Sequence, residues 1–242
     1  MKVDGVELPI LKKLPDGTLI AKYDLPHSPS EIRHSRTPLK PESVDPQHLP
    51  KLDEAAKNSR VSVDLSNAKK AFDENPSALN RSDLDAAQRA YDDQLPGVPN
   101  NSKHSQKLGE FASRCHAIPE LFPTAKHITL PKTPNGANAL DELYELSNDS
   151  NFLIVEQKGP KANLNPPRLG AGPAANMMVK QGTRPYLKTI FHEMWKRGGE
   201  DRRLAEKLFD ALEDGKIQYV LVKGKERSGS HDGSVLEHLK ID

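Results

Sequence analysis

The stretch "NFLIVEQKGP", Asn151–Pro160, places four apolar residues directly before a carboxylate, an amide and an ammonium group. A short apolar run bounded by turn residues is typical of a strand that is buried on both faces of a sheet. Charged groups at the end of a buried strand cost free energy unless a partner satisfies them. Glu156 and Lys158 therefore require either a structural partner or a ligand.

The spacing of this pair supports two interpretations. Residues two apart on a strand share a face, so Glu156 and Lys158 project side by side. They can form a structural ion pair at the strand end, which contributes little when exposed. Alternatively, Glu156 binds a divalent cation while Lys158 orients or polarises a water beside it. The local residues alone do not choose between the two.

A second carboxylate for such a cation is available on the preceding segment, "ALDELYEL", Ala139–Leu146. Its imperfect alternation fits a strand or a helix, and the flanking turns favour a strand. The turn "SNDS", Ser147–Ser150, would make this strand antiparallel to the next one and bring Asp141 near Glu156, if the register allows. One or two protein carboxylates suffice for magnesium, which usually keeps several waters.

Composition limits the class of protein. Only 35% of the 242 residues are hydrophobic and 5% aromatic, so one unbroken core over the whole length is not expected. The net charge of +1 argues against both a basic DNA-coating protein and an acidic one. The single cysteine, Cys115, excludes an internal disulfide and a cysteine-based zinc site, and is expected as a small buried residue in a helix.

The sequence carries neither a membrane-span pattern nor a secretion-signal pattern. No apolar run approaches the ~20 residues that a membrane span needs. The first residues, "MKVDGVELPILKKLPDG", lack the apolar region of a signal peptide. We therefore expect no membrane span, and any export would not use an N-terminal signal of this chain.

Proline content and polarity divide the sequence into three regions. Residues 1–50 contain eight of the 20 prolines and predict a small hairpin, with its turn at Leu14–Gly17, followed by an extended Pro-rich linker over 25–50. Residues 51–100 are polar and predict a helical extension, with short helical patterns around Leu65–Phe72 and Leu84–Tyr91. Residues 101–242 are expected to form the functional domain.

Within that domain, periodicity predicts a helix, three strands, two helices and a last strand. The predicted segments are the helix Ser105–Ile118, the strands Ala125–Leu130, Ala139–Leu146 and Phe152–Lys158, the helices Thr183–Arg197 and Asp201–Gly215, and the strand Lys216–Gly224.

Positive charge is concentrated after the opening stretch. Residues 161–197 contain seven basic residues and a single acid, Glu193. Such a segment is either a solvated basic face or a surface that contacts nucleic-acid phosphates, and the near absence of acids favours contact. Helix N-terminal amides near Thr183 could add to it. The predicted phosphate contacts are Lys161, Arg168, Lys180 and Arg184.

Four segments together resemble a known family, the restriction-endonuclease-like PD-(D/E)xK nucleases, in the form found as C-terminal toxin domains of bacterial polymorphic toxins. The resemblance covers a little over half of the chain. It implies an α/β fold with an αβββαβ core, a mixed central sheet and flanking helices, preceded here by an irregular and helical N-terminal extension. The segments are "LGE" (Leu108–Glu110), "LDELY" (Leu140–Tyr144), "VEQKG" (Val155–Gly159) and "NPPRLGAGPAANMMVKQGTRPYL" (Asn165–Leu187).

The resemblance also implies site residues. Asp141 and Glu156 would bind Mg²⁺ or Mn²⁺, and Lys158 would be the catalytic lysine. Gln181 lies where some members place a glutamine near the site, and Glu110 where many have an acid on a helix. Asp141 lacks the preceding proline that gives the family its name.

The function implied is metal-dependent endonuclease activity on DNA, as the toxic domain of a secreted effector. Such an effector would act in the cytoplasm of a target bacterium and would be neutralised by a cognate immunity protein. Two alternatives stay open on the sequence: an RNase on the same fold, and a non-catalytic module that binds nucleic acid or protein.

Overall fold

The structure, a computed structural model, describes residues 2–3, 6–7, 10–13, 19–21, 33–131, 133, 139–146 and 151–241. The strands are β1 Lys2–Val3, β2 Val6–Glu7, β3 Ile10–Lys13, β4 Leu19–Ala21, β5 Arg33–Leu39, β6 Lys126–Ile128, β7 Glu142–Leu146, β8 Asn151–Lys158, β9 Arg168–Leu169, β10 Met178–Val179, β11 Ile217–Arg227 and β12 Ser230–Leu239. The α-helices are α1 Leu49–Glu74, α2 Ala78–Gln94, α3 Lys103–Ala112, α4 Ile118–Leu121, α5 Arg184–Arg197 and α6 Gly199–Glu213.

A six-stranded sheet forms the centre of the fold, in the order β5-β12-β11-β8-β7-β6. Strands β8 and β11 are parallel, and every other neighbouring pair in this sheet is antiparallel. Parallel strands need a crossover connection, which α5 and α6 provide between β8 and β11. The α/β class and the mixed sheet with flanking helices are confirmed.

Strand β8 separates two apolar layers, because its side chains alternate between the faces of the sheet. Phe152 and Ile154 belong to the cluster formed with α5 and α6, whereas Leu153 and Val155 belong to the cluster formed with α4. All four are buried, which explains why the sequence shows an unbroken apolar run here. The layer on the α5 side is called the front face below, and the layer on the α3–α4 side the back face.

The order of elements from α3 to β11 follows the sequence pattern, but the sheet is wider than predicted. Strand β12 was not predicted, since its glycine and charged residues hide the alternation. Strand β5 lies in the segment predicted as an extended linker; that prediction was wrong for residues 33–39. Pro38 is tolerated because β5 is the end strand of the described sheet and pairs on one side with β12.

Part of the N-terminal region packs against α3. Two short antiparallel pairs, β1–β2 and β3–β4, precede the sheet, and the predicted turn Leu14–Gly17 lies outside the described residues. Helix α1 has 26 residues rather than a short helical pattern, and buries Leu52 and Ala56 near Leu108 and Ala112 of α3. None of the helices in the described ranges is long and apolar enough to cross a membrane.

A π-helical turn, Ser113–Ala117, continues α3 into α4 and carries Cys115 and His116. Cys115 is half-buried, and burial raises the pKa of its thiol. His116 is buried and hydrogen-bonds through Nε2 to Ser43 Oγ at 2.9 Å and through Nδ1 to Ser234 Oγ at 2.9 Å. Its Nδ1 also lies 3.2 Å from Nε2 of His231. This histidine cluster joins the N-terminal segment to β12.

The histidine cluster predicts a loss of stability in mild acid. Burial lowers the pKa of His116 and, with the neighbouring His116 ring, that of His231 to about 4. An unfolded histidine has a pKa of about 6.5, so between these values the unfolded chain binds more protons. The free energy of unfolding should therefore fall as pH drops from about 6.5 to 4, by about 2 kcal/mol for His231, measured by urea unfolding.

A matched pair of variants tests whether the histidine cluster causes this loss of stability in acid. His231→Gln should flatten the dependence of the unfolding free energy on pH in that window, because glutamine does not titrate. His127→Gln, on the exposed strand β6, should leave the dependence as in the wild type. An unchanged slope in His231→Gln would assign the acid lability to other groups.

Candidate active site

Strand register brings the two predicted carboxylates together on the front face. Glu142 pairs with Val155, so the preceding residue, Asp141, stands opposite Glu156. Oxygen Oδ2 of Asp141 accepts a hydrogen bond from the backbone N–H of Gln157 at 3.0 Å, and Asp141 lies close enough to Glu156 to raise the pKa of that carboxyl group. Asp141 is exposed, whereas Glu156 is 1% exposed. The pair thus has one solvent-facing and one buried member.

The neighbouring acid, Glu142, has a structural role on the back face. Its carboxylate accepts hydrogen bonds from Tyr144 Oη at 2.8 Å and Ser113 Oγ at 3.3 Å, and it forms an ion pair with Arg114. These donors satisfy a carboxylate that is buried within the sheet layer. Of the two adjacent acids in "ALDEL", Asp141 therefore faces Glu156.

Two side chains donate to the Glu156 carboxylate, one to each oxygen. Gln181 Nε2 donates to Oε2, and Tyr219 Oη donates to Oε1. The orientation of the Gln181 amide is fixed, because its Oε1 accepts the backbone N–H of Asn165 at 2.8 Å. The structure thus brings the predicted Gln181 to Glu156, and ties the loop after β8 to the same carboxylate.

Electrostatics favour a positive charge or a proton at this pair. Burial and the adjacent Asp141 raise the pKa of Glu156 well above its usual value, although the Tyr219 hydrogen bond and the Lys158 charge oppose the shift. Burial and the charge of Glu156 raise the pKa of Tyr219, so this phenol stays protonated and remains a donor. Two like charges in contact, one of them buried, are stabilised by a bound cation.

Lys158 lies at the end of β8 on the same face as Glu156. Its side chain is half-buried, and its charge is close enough to Glu156 to lower the pKa of that carboxyl group. On the parallel neighbour β11, Lys223 pairs with Lys158 in register. The lysine predicted from the sequence thus stands beside the carboxylate pair, with a second lysine next to it.

The structure does not bring Glu110 to this pair. Glu110 lies on α3, which covers the back face, and its carboxylate accepts a hydrogen bond from Gln106 at 3.1 Å and lies near Arg114. The helix nevertheless approaches the site closely through the preceding residue, Gly109, which contacts the backbone of Lys158.

The four predicted phosphate contacts differ in their surroundings. Lys161 is exposed in the loop after β8. Arg168, on β9, lies near Tyr186. The pKa of Tyr186 is raised by burial and by the charges of Glu156 and Asp141, and the charge of Arg168 partly offsets this rise. Arg184 instead donates to Glu213 at 2.9 Å and to the Ile241 carbonyl at 3.4 Å, so its guanidinium is engaged by α6 and the C-terminal segment.

Lys180 follows β10 and is half-buried. Its carbonyl oxygen accepts a hydrogen bond from Thr183 Oγ1 at 2.7 Å, which orders the turn into α5. This turn also carries Gln181, so the backbone between β10 and α5 is fixed at the point where it contacts Glu156. Lys180 is thus held on an ordered turn, next to the glutamine that contacts Glu156.

The donor set fits a hard divalent cation. Among the described residues, no three or more His, Cys, Asp or Glu side chains gather in a metal-ligating group. Magnesium does not require one, because it usually keeps several waters and takes one or two carboxylates. Asp141 and Glu156 are neighbouring carboxylates on one face of the sheet, and a cation bound between them would relieve the repulsion that raises the pKa of Glu156.

Two tyrosines of the site were missed by sequence reasoning. Tyr219 and Tyr186 are buried around Glu156 and Gln181, but they lie on β11 and α5, far from Glu156 in the chain. For Tyr219, the signal available was a hydroxyl in the largely aliphatic strand "IQYVLV", since a buried phenol needs a hydrogen-bond partner. The identity of that partner was not readable from the sequence.

Comparisons were made with protein-family models, curated proteins and solved structures. None of these matches the chain. The case for a function therefore rests on the geometry and chemistry of the site itself.

Proposed function

We propose that this chain is a metal-dependent endonuclease that hydrolyses phosphodiester bonds of DNA, with its site at Asp141, Glu156 and Lys158. The observation that carries the proposal is the strand register that sets Asp141 opposite Glu156 on the front face, with Lys158 two residues further along the same strand. Two acids and a lysine so arranged serve a reaction in which a cation and an ammonium group bind an anionic ester.

Each residue of the chain has a role in this proposal. Asp141 and Glu156 would bind Mg²⁺ or Mn²⁺, which supplies charge stabilisation at a phosphoryl oxygen and lowers the pKa of a bound water. Lys158 presents a cationic hydrogen-bond donor to a phosphate oxygen or to the attacking water. Gln181 orients Glu156 through its fixed amide and so couples the loop to the carboxylate.

Binding of the polyanion is assigned to the loop after β8 and to the lysines beside it. Lys161, Arg168 and Lys180 lie on the segment that also supplies Gln181, and neutralisation of phosphates gives affinity that does not depend on sequence. Arg184 contributes less in this scheme, because its ion pair with Glu213 competes with a phosphate.

The biological role proposed follows from the resemblance to polymorphic-toxin nucleases. The chain would act as the toxic part of a secreted or delivered antibacterial effector in the cytoplasm of the target cell. A cognate immunity protein would protect the producer. An RNase on the same site is the competing enzyme activity, and the test below includes it.

The proposal predicts cation-dependent cleavage. Purified protein should nick supercoiled plasmid with Mg²⁺ or Mn²⁺ and not with EDTA, with an RNA substrate run in parallel. Asp141→Asn and Lys158→Met should each reduce the rate at least about 100-fold, whereas Glu145→Gln, an exposed acid on β7, should cleave as the wild type does.

Three results would count against the proposal. Cleavage of RNA alone would replace DNA by RNA as the substrate. Equal rates for Asp141→Asn, Lys158→Met and wild type would remove the site assignment. No cleavage of either nucleic acid with any divalent cation would favour the non-catalytic binding module.

A further inference from the structure

Tyr219 occupies a position that the metal-and-lysine scheme leaves unexplained. It is one of the largest fully buried side chains, at 1% exposure, and it lies near the start of β11. Its hydroxyl donates to Oε1 of Glu156. Phenylalanine would fill nearly the same core volume, so the hydroxyl calls for a reason of its own.

The parallel pairing of β8 and β11 explains how the hydroxyl reaches Glu156. Tyr219 pairs with Ile154, and Glu156 is the next residue on the same face of β8. The Tyr219 side chain therefore reaches diagonally from β11 to the residue on β8 that lies two positions beyond its pairing partner. Gln181 Nε2 contacts the other oxygen, Oε2, from the loop before α5. The carboxylate is fixed at both oxygens by donors from two different elements.

Only a donor can fill this position. Each donor uses a lone pair of one Glu156 oxygen, and a carboxylate has about four such acceptor sites, so lone pairs remain for a cation that Asp141 would share. Phenylalanine would leave Oε1 without its buried donor and free the carboxylate to turn about its last bond. Groups that orient a ligating carboxylate usually affect metal affinity about 10–100-fold.

We propose that Tyr219 is a positioning residue for divalent-cation binding, which acts by fixing the Glu156 carboxylate in the orientation that faces Asp141. The inference rests on the proposed function, because it assumes that these two carboxylates bind a cation. It adds a buried residue of β11 that contacts neither cation nor nucleic acid.

The back face of the same sheet offers a matched control. Tyr144 is also buried, and its hydroxyl donates to a buried glutamate, Glu142, at 2.8 Å. Both tyrosine–glutamate pairs are buried hydrogen bonds in the same sheet. They differ in the face of the sheet on which they lie. Removal of either hydroxyl should cost comparable stability, whereas only Tyr219 faces the carboxylate pair.

The experiment measures Mn²⁺ binding to the intact chain by calorimetry without nucleic acid. Tyr219→Phe should weaken Mn²⁺ binding about 10-fold, and Tyr144→Phe should leave it within about 2-fold of wild type. Tyr219→4-aminophenylalanine, which restores a donor at the same place, should recover most of the affinity. In cleavage assays Tyr219→Phe should lower kcat at fixed Mn²⁺ with little change in the KM for DNA.

The outcomes separate the inference from the proposed function. Wild-type protein that binds no Mn²⁺ would overturn the cation site and the proposed function with it. Wild-type binding with equal affinity in Tyr219→Phe would overturn the role of Tyr219 alone. If Tyr219→Phe does not fold by circular dichroism, the 4-aminophenylalanine variant decides. Its affinity should then match the wild type, and a 10-fold loss despite the restored donor would overturn the inference.

Discussion

Glu156→Gln is expected to abolish cleavage and, at the same time, to stabilise the metal-free protein. Loss of a carboxylate that binds the cation would remove about 4 kcal/mol of transition-state stabilisation, or about 10³-fold in rate. In the metal-free chain, however, burial and Asp141 raise the pKa of Glu156, which means that the folded state disfavours the ionised group. Glutamine has a similar size and no charge.

The sign of the stability change follows from proton linkage. A carboxyl group with a raised pKa in the folded state contributes stability below its unfolded pKa of about 4.3 and loses it as pH rises through the folded value. At pH 7.5 the charged form therefore lowers the free energy of unfolding. Glu156→Gln should raise that free energy by about 1–3 kcal/mol in EDTA, measured by urea unfolding.

Added Mn²⁺ should make the wild type more stable to unfolding than Glu156→Gln. At a free Mn²⁺ concentration 100 times Kd, binding stabilises the wild type by about 2.7 kcal/mol, whereas Glu156→Gln should gain little. Without metal, Glu142→Gln should lower the free energy of unfolding, whereas Glu156→Gln raises it. Glu142 is paired with Arg114, so its neutralisation breaks a satisfied ion pair. A destabilised Glu156→Gln would mean that Glu156 is ionised and satisfied by the protein alone.

The sequence was informative where local pattern determines structure. The run before Glu156 is apolar on both faces because β8 is central, and the i, i+2 rule correctly placed Glu156 and Lys158 on one face. The position of Asp141 depends on one number, the register of β7 against β8. A shift of one residue would have placed Glu142 there instead, so the choice between these acids needed coordinates.

The remainder of the site depends on contacts between residues distant in the chain. Tyr219 meets Glu156 across 63 positions, and the local pattern of β11 is that of any buried strand. Strand β5 lies in a proline-rich segment, whose composition predicts a linker and whose pairing partner, β12, is almost 200 residues away. Local periodicity contains no information about either contact.

Gly109→Ala is expected to be among the most destabilising substitutions in the chain, although helix propensity predicts the reverse. Alanine in a helix interior is about 1 kcal/mol better than glycine. At Gly109, however, an added Cβ would lie 2.5 Å from the Lys158 carbonyl oxygen and 2.9 Å from the Lys158 backbone nitrogen. Contacts under 3.0 Å are essentially never seen for a real Cβ, and here the obstacle is backbone, so α3 must move away from β8.

Overpacking of this kind usually costs about 1–3 kcal/mol, and the clash must also offset the gain in helix propensity. Urea unfolding should therefore show Gly109→Ala to be less stable by about 2 kcal/mol. Gln106→Ala, on the exposed side of α3 one turn earlier, should remain within about 0.5 kcal/mol of wild type. A Gly109→Ala protein as stable as the wild type would show that α3 and β8 do not approach as closely as described.

Gly109→Ala should also slow cleavage, although Gly109 lies on the back face of the sheet and the carboxylate pair on the front face. Displacement of the Lys158 backbone moves its side chain relative to Glu156, and errors of about 1 Å in position can cost about 100-fold in rate. In the "LGE" segment, Glu110 was the residue expected to serve the site, yet its carboxylate contacts Gln106. The glycine before it is the residue that packs against β8, because only a residue without a Cβ lets the helix contact Lys158.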